Sequence, residues 1–204
     1  MNLRKLYEGA AKPVLIALLA TGLMVSASIG LFQPRELQAE PSGSIPFTPG
    51  ERLRFSLRWT VVPAGEAILE VLPIKSIDGQ KVYHFRLTAE TNAFVDLFYK
   101  VRDRIDAFAS IDMTRAVRYH HKQHEGNNRK DVEVQFDWQR ELALFNDGQT
   151  DKETEIKPGT FDPLSVFYFS RMADFKANGL IRCPVCDGKK CVDGQARIIK
   201  KETI

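Results

Sequence analysis

Arg52-Leu53-Arg54-Phe55-Ser56-Leu57-Arg58-Trp59-Thr60 alternates strictly between polar and apolar side chains. Successive side chains of a β-strand point to opposite faces, so Leu53, Phe55, Leu57 and Trp59 share one side and the arginines share the other. This is the pattern of an antiparallel strand with one buried face and one wet face. The same period continues downstream. Ala67, Leu69 and Val71 form a second strand after a Pro63-Ala64-Gly65 turn, and Tyr83, Phe85, Leu87 and Ala89 form a third after Asp78-Gly79, a pair suited to a tight hairpin. Further strands are expected through Ile105 to Ile111, Val117 to Tyr119, Val132 to Trp138 and Leu142 to Phe145, with turns at Gly126-Asn127-Asn128 and Asp147-Gly148. A closing hairpin turns at Asp187-Gly188. Hairpins account for these connections, and no repeat of fixed period is present.

Two segments carry helical spacing instead. Phe94, Leu97, Phe98 and Val101 suggest a short turn capping one end of the sheet. Asp162 suits a helix N-cap and Pro163 the first helical position, and the run from Leu164 to Phe175 presents Leu164, Phe167, Tyr168, Met172 and Phe175 as an apolar stripe. Asn178-Gly179 would end that helix. Val166 and Phe169 widen its apolar surface, so burial on more than one side is expected. The fold this predicts is mainly β, a curved antiparallel sheet packed around one helix.

Ahead of the strands lies a different kind of sequence. Pro13 to Phe32 is twenty residues without a charged side chain, preceded by Arg4, Lys5 and Lys12 and followed by a polar stretch ending Leu37-Gln38-Ala39. That layout is a signal peptide, or, because such a run can cross roughly 30 Å of hydrocarbon, an uncleaved N-terminal anchor with its basic end in the cytoplasm. The expected organisation is a leader over 1–39, a Pro/Gly/Ser-rich linker over 40–49 and a β-rich domain over 50–204, placed in the periplasm and anchored in the inner membrane by residues 13–32 if the leader stays. The chain of 204 residues has a formal charge of only +3. Arg4, Lys5, Lys12 and Arg35 against Glu8 and Glu36 put two of those charges in the leader. A β-rich part this close to neutral has no basic footprint for nucleic acid.

Candidate chemistry is sparse. Cys183, Cys186 and Cys191 are spaced C-x2-C-x4-C, which lacks the fourth ligand of a structural zinc site, and the first cysteine enters a strand and not the helix N-terminus that lowers a redox thiol's pKa. Two of the three are expected to form a disulfide across the hairpin, Cys186 with Cys191, leaving one thiol free. On a strand, His120 and His124 lie about 13 Å apart at roughly 3.3 Å per residue and His121 faces the other way, so the three do not converge on one ion. Glu66, Glu70, Glu90 and Asp106 are scattered over polar strand faces, and no nucleophile elbow, phosphate loop or dinucleotide fingerprint is present.

Three features, taken in order along the chain, resemble a known family. They are Phe47-Thr48-Pro49-Gly50-Glu51 with the alternating strand after it, the Ala64-Gly65 pair, and Asp162-Pro163-Leu164-Ser165 opening a helix that runs to Arg171. The pattern, over about residues 47 to 204, is similar to the bacterial domain of unknown function 3108. The resemblance implies an exported β-rich domain with no established activity and no catalytic residues to carry over. It also implies an architecture like the half-open β-barrel of lipoprotein carriers, and further strands beyond Ile204, so that the chain reads as C-terminally truncated.

The function expected from all this is a non-enzymatic envelope protein, without cofactor or metal, that binds a lipid or other apolar ligand, an envelope protein or a membrane. The ligand cavity would be lined by Trp59, Phe85, Phe136, Phe167 and Met172. Two alternatives stand beside it. One is a metal- or thiol-dependent enzyme using Cys183, Cys186 and Cys191, with His120. The other is a tethered interaction domain that offers a sheet edge to a partner.

Overall fold

The structure, a computed structural model, describes residues 45–172, 180–197 and 199. Its main element is one eight-stranded antiparallel sheet in which each strand pairs with its neighbours in sequence. The strands are β1 (Arg52–Trp59), β2 (Val62–Ile77), β3 (Gln80–Thr91), β4 (Arg102–Ser110), β5 (Ala116–Glu125), β6 (Asn128–Asp137), β7 (Leu142–Asn146) and β8 (Asp151–Glu155). A separate two-stranded sheet pairs β9 (Leu180–Cys186) with β10 (Cys191–Arg197). Among the described residues the helices are α1 (Ala93–Asp96) and α2 (Ser165–Ser170).

This corrects the expected architecture. The strand order runs from β1 to β8 without returning, so the large sheet is open, neither closed into a barrel nor curled round a helix. No substantial helix is available among the described residues to be wrapped, because α2 has only six residues. Its sequence Ser-Val-Phe-Tyr-Phe-Ser contains none of the strong helix formers, and β-branched and aromatic side chains lose rotamer freedom against the preceding turn. The expected continuation through Phe175 to Asn178-Gly179 lies outside the described residues. The expected turn at Pro63-Ala64-Gly65 is also displaced. Those residues belong to β2, where the ladder slips between Leu57 and Arg58, and the chain reverses at Thr60, whose φ is 55°. Gly65 is required there because β3 passes so close that a Cβ would stand 2.1 Å from the Glu90 carbonyl oxygen.

The leader read at 13–32 lies outside the described residues. Among those described, no helix is long and apolar enough to cross a membrane. The structure therefore provides no basis for anchoring, and the expected placement as an inner-membrane-anchored periplasmic protein is withdrawn.

Alternation sets the two faces of the sheet. Val71, Tyr83, Phe85, Ala107, Tyr119, Val134 and Phe136 are buried on the inner face. They are covered by Phe47, Phe161, Leu164 and Tyr168, and by Cys183 and Cys186 of the small sheet. Phe85 stacks on Tyr168 at 3.9 Å between ring centroids, and the Phe47 ring meets Tyr83, Phe85 and Tyr168 edge-on. The 161 segment is stitched to β9 by Phe161 N–H donating to the Pro184 carbonyl and Cys186 N–H donating to that of Phe161. Phe47 falls within the stretch read as linker, yet it is among the most buried residues.

Candidate functional site

The outer face of the sheet is an ordered array of charge. The strand registers align Arg52, Glu70, Arg86, Asp106, His120 and Glu133 in one row across β1 to β6. Asp106 is the hub. Its Oδ1 accepts from His84 Nε2 at 2.6 Å and from Arg86 at 2.8 Å, and its Oδ2 accepts from Arg104 Nε at 2.6 Å. Burial opposes its ionisation, but the hydrogen bonds from His84, Arg104 and Arg86 outweigh it and hold the carboxyl well below the usual carboxylate range. A carboxyl held in this way is ionised at neutral pH and organises the three donors around it. His84 is itself buried and stacks on Phe108 at 4.4 Å. Sequence reading placed Asp106 among scattered acids and passed over His84, Arg86 and Arg104. The parity of β3 and β4 was readable, but the register that joins them was not.

The other candidates are dispersed. His120 bonds to Asp131 on β6, and His121 stands 3.9 Å from Asp103, its pKa lowered by burial. Asp103 also accepts from the backbone amide of His124. Glu70 pairs with Arg52, Glu66 with Arg54 and Glu90 with Arg102. Among the described residues no group of three His, Cys, Asp or Glu side chains is arranged to hold a metal ion. Cys186 and Cys191 are joined in a disulfide that closes the β9–β10 hairpin. Cys183 is free and buried, and burial pushes its thiol up to about 11, which leaves almost no thiolate for nucleophilic or redox work.

The five residues expected to line an apolar cavity are not brought together. Phe85 and Phe136 are packed in the core, and Met172 is half-buried against it. Phe167 is 40 % exposed and Trp59, at the far end of the sheet, is 76 % exposed. A different apolar surface emerges instead. Phe55, Leu57 and Trp59 continue the inner face along β1, and Val62 is the cross-strand partner of Trp59. The face that is core elsewhere is open here, with Phe55 44 %, Leu57 39 % and Val62 45 % exposed. At the same end of the meander the β3–β4 connection presents Phe94, Leu97 and Phe98, also exposed. It is tied to β2 by Asn92, whose N–H donates to the Ala64 carbonyl and whose side-chain amide donates to that of Pro63. Exposed Arg58, next to Trp59 in sequence, and Lys100, on the β3–β4 connection, stand at this end too.

The family described as "Protein of unknown function (DUF3108)" matches residues 54–204, most of the chain. The chain belongs to the DUF3108 family. No curated protein and no solved structure matches it.

In this DUF3108 chain two of the three stretches that carry the resemblance, the first and the last, meet in space. Phe47-Thr48-Pro49-Gly50-Glu51, just before the matched range, packs its Phe47 ring under the Arg171 guanidinium at 5.6 Å, and Glu51 and Arg171 form a two-armed ion pair. Gly50, at φ 99°, donates its N–H to the Val71 carbonyl, and Val71 returns a bond to Glu51. Asp162 accepts from the amides of Leu164 and Ser165 and so opens α2. These stretches fasten the cover to the sheet, so their chemistry is that of assembly.

Proposed function

We propose that this DUF3108 domain is a non-enzymatic binding module that holds an acyl-chain amphiphile with an anionic head on the open end of its sheet's apolar face. The observation that carries the reading is the exposure of Phe55, Leu57, Trp59 and Val62, four neighbouring side chains on the face that is buried core elsewhere. Large apolar side chains grouped in this way mark a surface that gains by being covered. Lys100, on the β3–β4 connection that presents Phe98, and Arg58, next to Trp59 in sequence, bring exposed cationic side chains to that end, which favours an anionic head over a neutral one. Completing the burial of these four exposed side chains contributes about 1 kcal/mol each, about 4 kcal/mol together, which supports binding in roughly the millimolar range.

Calorimetric titration with dodecyl phosphate, below its micellar concentration, and with uncharged dodecyl maltoside tests this. Dodecyl phosphate is expected to bind the tighter of the two, and Leu57→Asp is expected to weaken it about tenfold or more by placing a charge under the chain. Equal affinity of wild type and Leu57→Asp, or of the two detergents, would overturn the reading. So would an absence of binding.

A further inference from the structure

The outer face carries a cleft of about 260 Å³ whose floor is the Phe108 ring. Phe108 lies between His84 on β3 and Arg118 on β5, its cross-strand partners, and the Lys75 ammonium stands 5.7 Å from the ring centroid. The cleft is lined by four permanent cations, Lys75, Arg86, Arg104 and Arg118, against two carboxylates, Asp106 and Glu133. A surplus of two positive charges is therefore held in one recess. Arg86 and Arg104 are committed to Asp106. Lys75 and Arg118 are not committed in this way.

Lys75 makes no hydrogen bond or ion pair among the described residues, and the ring of Phe108 is its contact. Arg118 has its Nε buried without an acceptor, because the nearest carboxylate oxygen, on Glu133, is 3.8 Å away and beyond hydrogen-bond distance. His84 Nδ1 is a second buried nitrogen in the same cleft without a partner. A guanidinium N–H can only donate, and buried donors in folded proteins are nearly always paired. An orphan donor beside an uncommitted ammonium and an aromatic floor is a place made for an acceptor that carries negative charge.

We infer that this cleft binds a small dianionic oxyanion between Lys75 and Arg118, with any organic body of the ligand lying on the Phe108 ring. The charge of the ligand follows from the surplus of two. Its size follows from the cleft, whose volume of about 260 Å³ suits a phosphate monoester or a short dicarboxylate. The site is separate from the apolar end, and neither reading depends on the other.

The test is an NMR titration of the protein with inorganic phosphate, phenyl phosphate and succinate, each at chloride-matched ionic strength. Lys75→Gln, at an exposed side chain, and Arg118→Gln, at a partly exposed one, are titrated in parallel. Amide shifts are expected at His84, Phe108 and Arg118, with phenyl phosphate tighter than inorganic phosphate through its ring. Each variant should weaken binding by about tenfold, the scale of one charge-assisted contact. Saturation by the phosphates alone, or by succinate alone, identifies which oxyanion the site takes and supports it. Absence of shifts with all three probes, or shifts undiminished in both variants, would overturn it.

Discussion

Two buried aspartates on opposite sides of the sheet show how placement decides the behaviour of one residue type. Asp106 is surrounded by donors, so its share of stability is present above the ordinary carboxylate range and is lost only as pH falls below it. Asp162 is fully buried in the cover. Burial pushes its carboxyl up to about 6 against the opposing hydrogen bonds from Ser165 and the backbone amides. Its folded state thus holds a proton that the unfolded chain, at the ordinary value of 3.8, has released. Stability should therefore fall as pH rises through the window from about 4 to about 6, by on the order of 2–3 kcal/mol at about 1.4 kcal/mol per pKa unit. Asp162→Asn keeps an oxygen to accept from Leu164 and Ser165 but cannot ionise. Urea unfolding of the two proteins across this window should show the fall in wild type and a flatter profile in Asp162→Asn, whereas parallel profiles would contradict the assignment. The sequence marks Asp162 as a helix N-cap; its carboxyl does accept from the Leu164 and Ser165 amides, but the helix begins only at Ser165, with Leu164 at the N-cap position. That this carboxyl is also fully buried follows from tertiary packing of a segment whose Phe161 hydrogen-bonds to β9, and no local pattern announces this.

Among the elements, the strands were the most legible part. Period-two alternation is readable in the sequences of β1, β3, β4 and β6, although β3 and β4 also bury Val82 and Phe108 on the outer face, and the turn pairs Asp78-Gly79, Asp147-Gly148 and Asp187-Gly188 are hairpin chemistry in the sequence itself. The helix was over-read, because Leu164, Phe167, Tyr168 and Met172 fit a helical stripe whether the segment is one long helix or a short turn followed by an irregular cover. Packing of the small sheet on the large one was invisible. Gly188 shows it, because its carbonyl accepts from Thr154 on β8 and a Cβ would stand 2.7 Å from Val134 Cγ2. Gly79 has a similar positive φ, 79° against 89°, but open space around it. Thermal unfolding should therefore separate them. Gly79→Ala should cost about 1 kcal/mol of backbone strain, and Gly188→Ala at least about twice that, because contact with Val134 and Phe145 adds to the strain. Equal losses would mean that the β9–β10 turn does not bear on the sheet.

At the scale of the whole molecule, the open strand order is the feature from which the functional reading follows. A barrel would hide its apolar lining, whereas an open sheet with a cover fastened by Phe47, Arg171 and Tyr168 at one end leaves the rest of the same face available. The sequence displayed the apolar row Leu53, Phe55, Leu57 and Trp59, but it could not show where along that row the cover stops. Leu53 is half-buried against the core, and exposure begins at Phe55. For the same reason the candidate site was misplaced. Phe85 and Phe136 are apolar and on the right face but lie under the cover, while Phe55, Leu57 and Val62 lie beyond it.

The most direct measurement of this account is the emission of Trp59 during titration with dodecyl phosphate. The chain has two tryptophans, and the other, Trp138, is half-buried with its indole N–H donating to the Ala116 carbonyl at 2.8 Å, so it serves as an internal reference. An acyl chain covering the open end of the sheet should shift the Trp59 emission to the blue, and the shift should vanish in Trp59→Phe. Emission that stays unchanged at saturating dodecyl phosphate, or changes identically in Trp59→Phe, would contradict it.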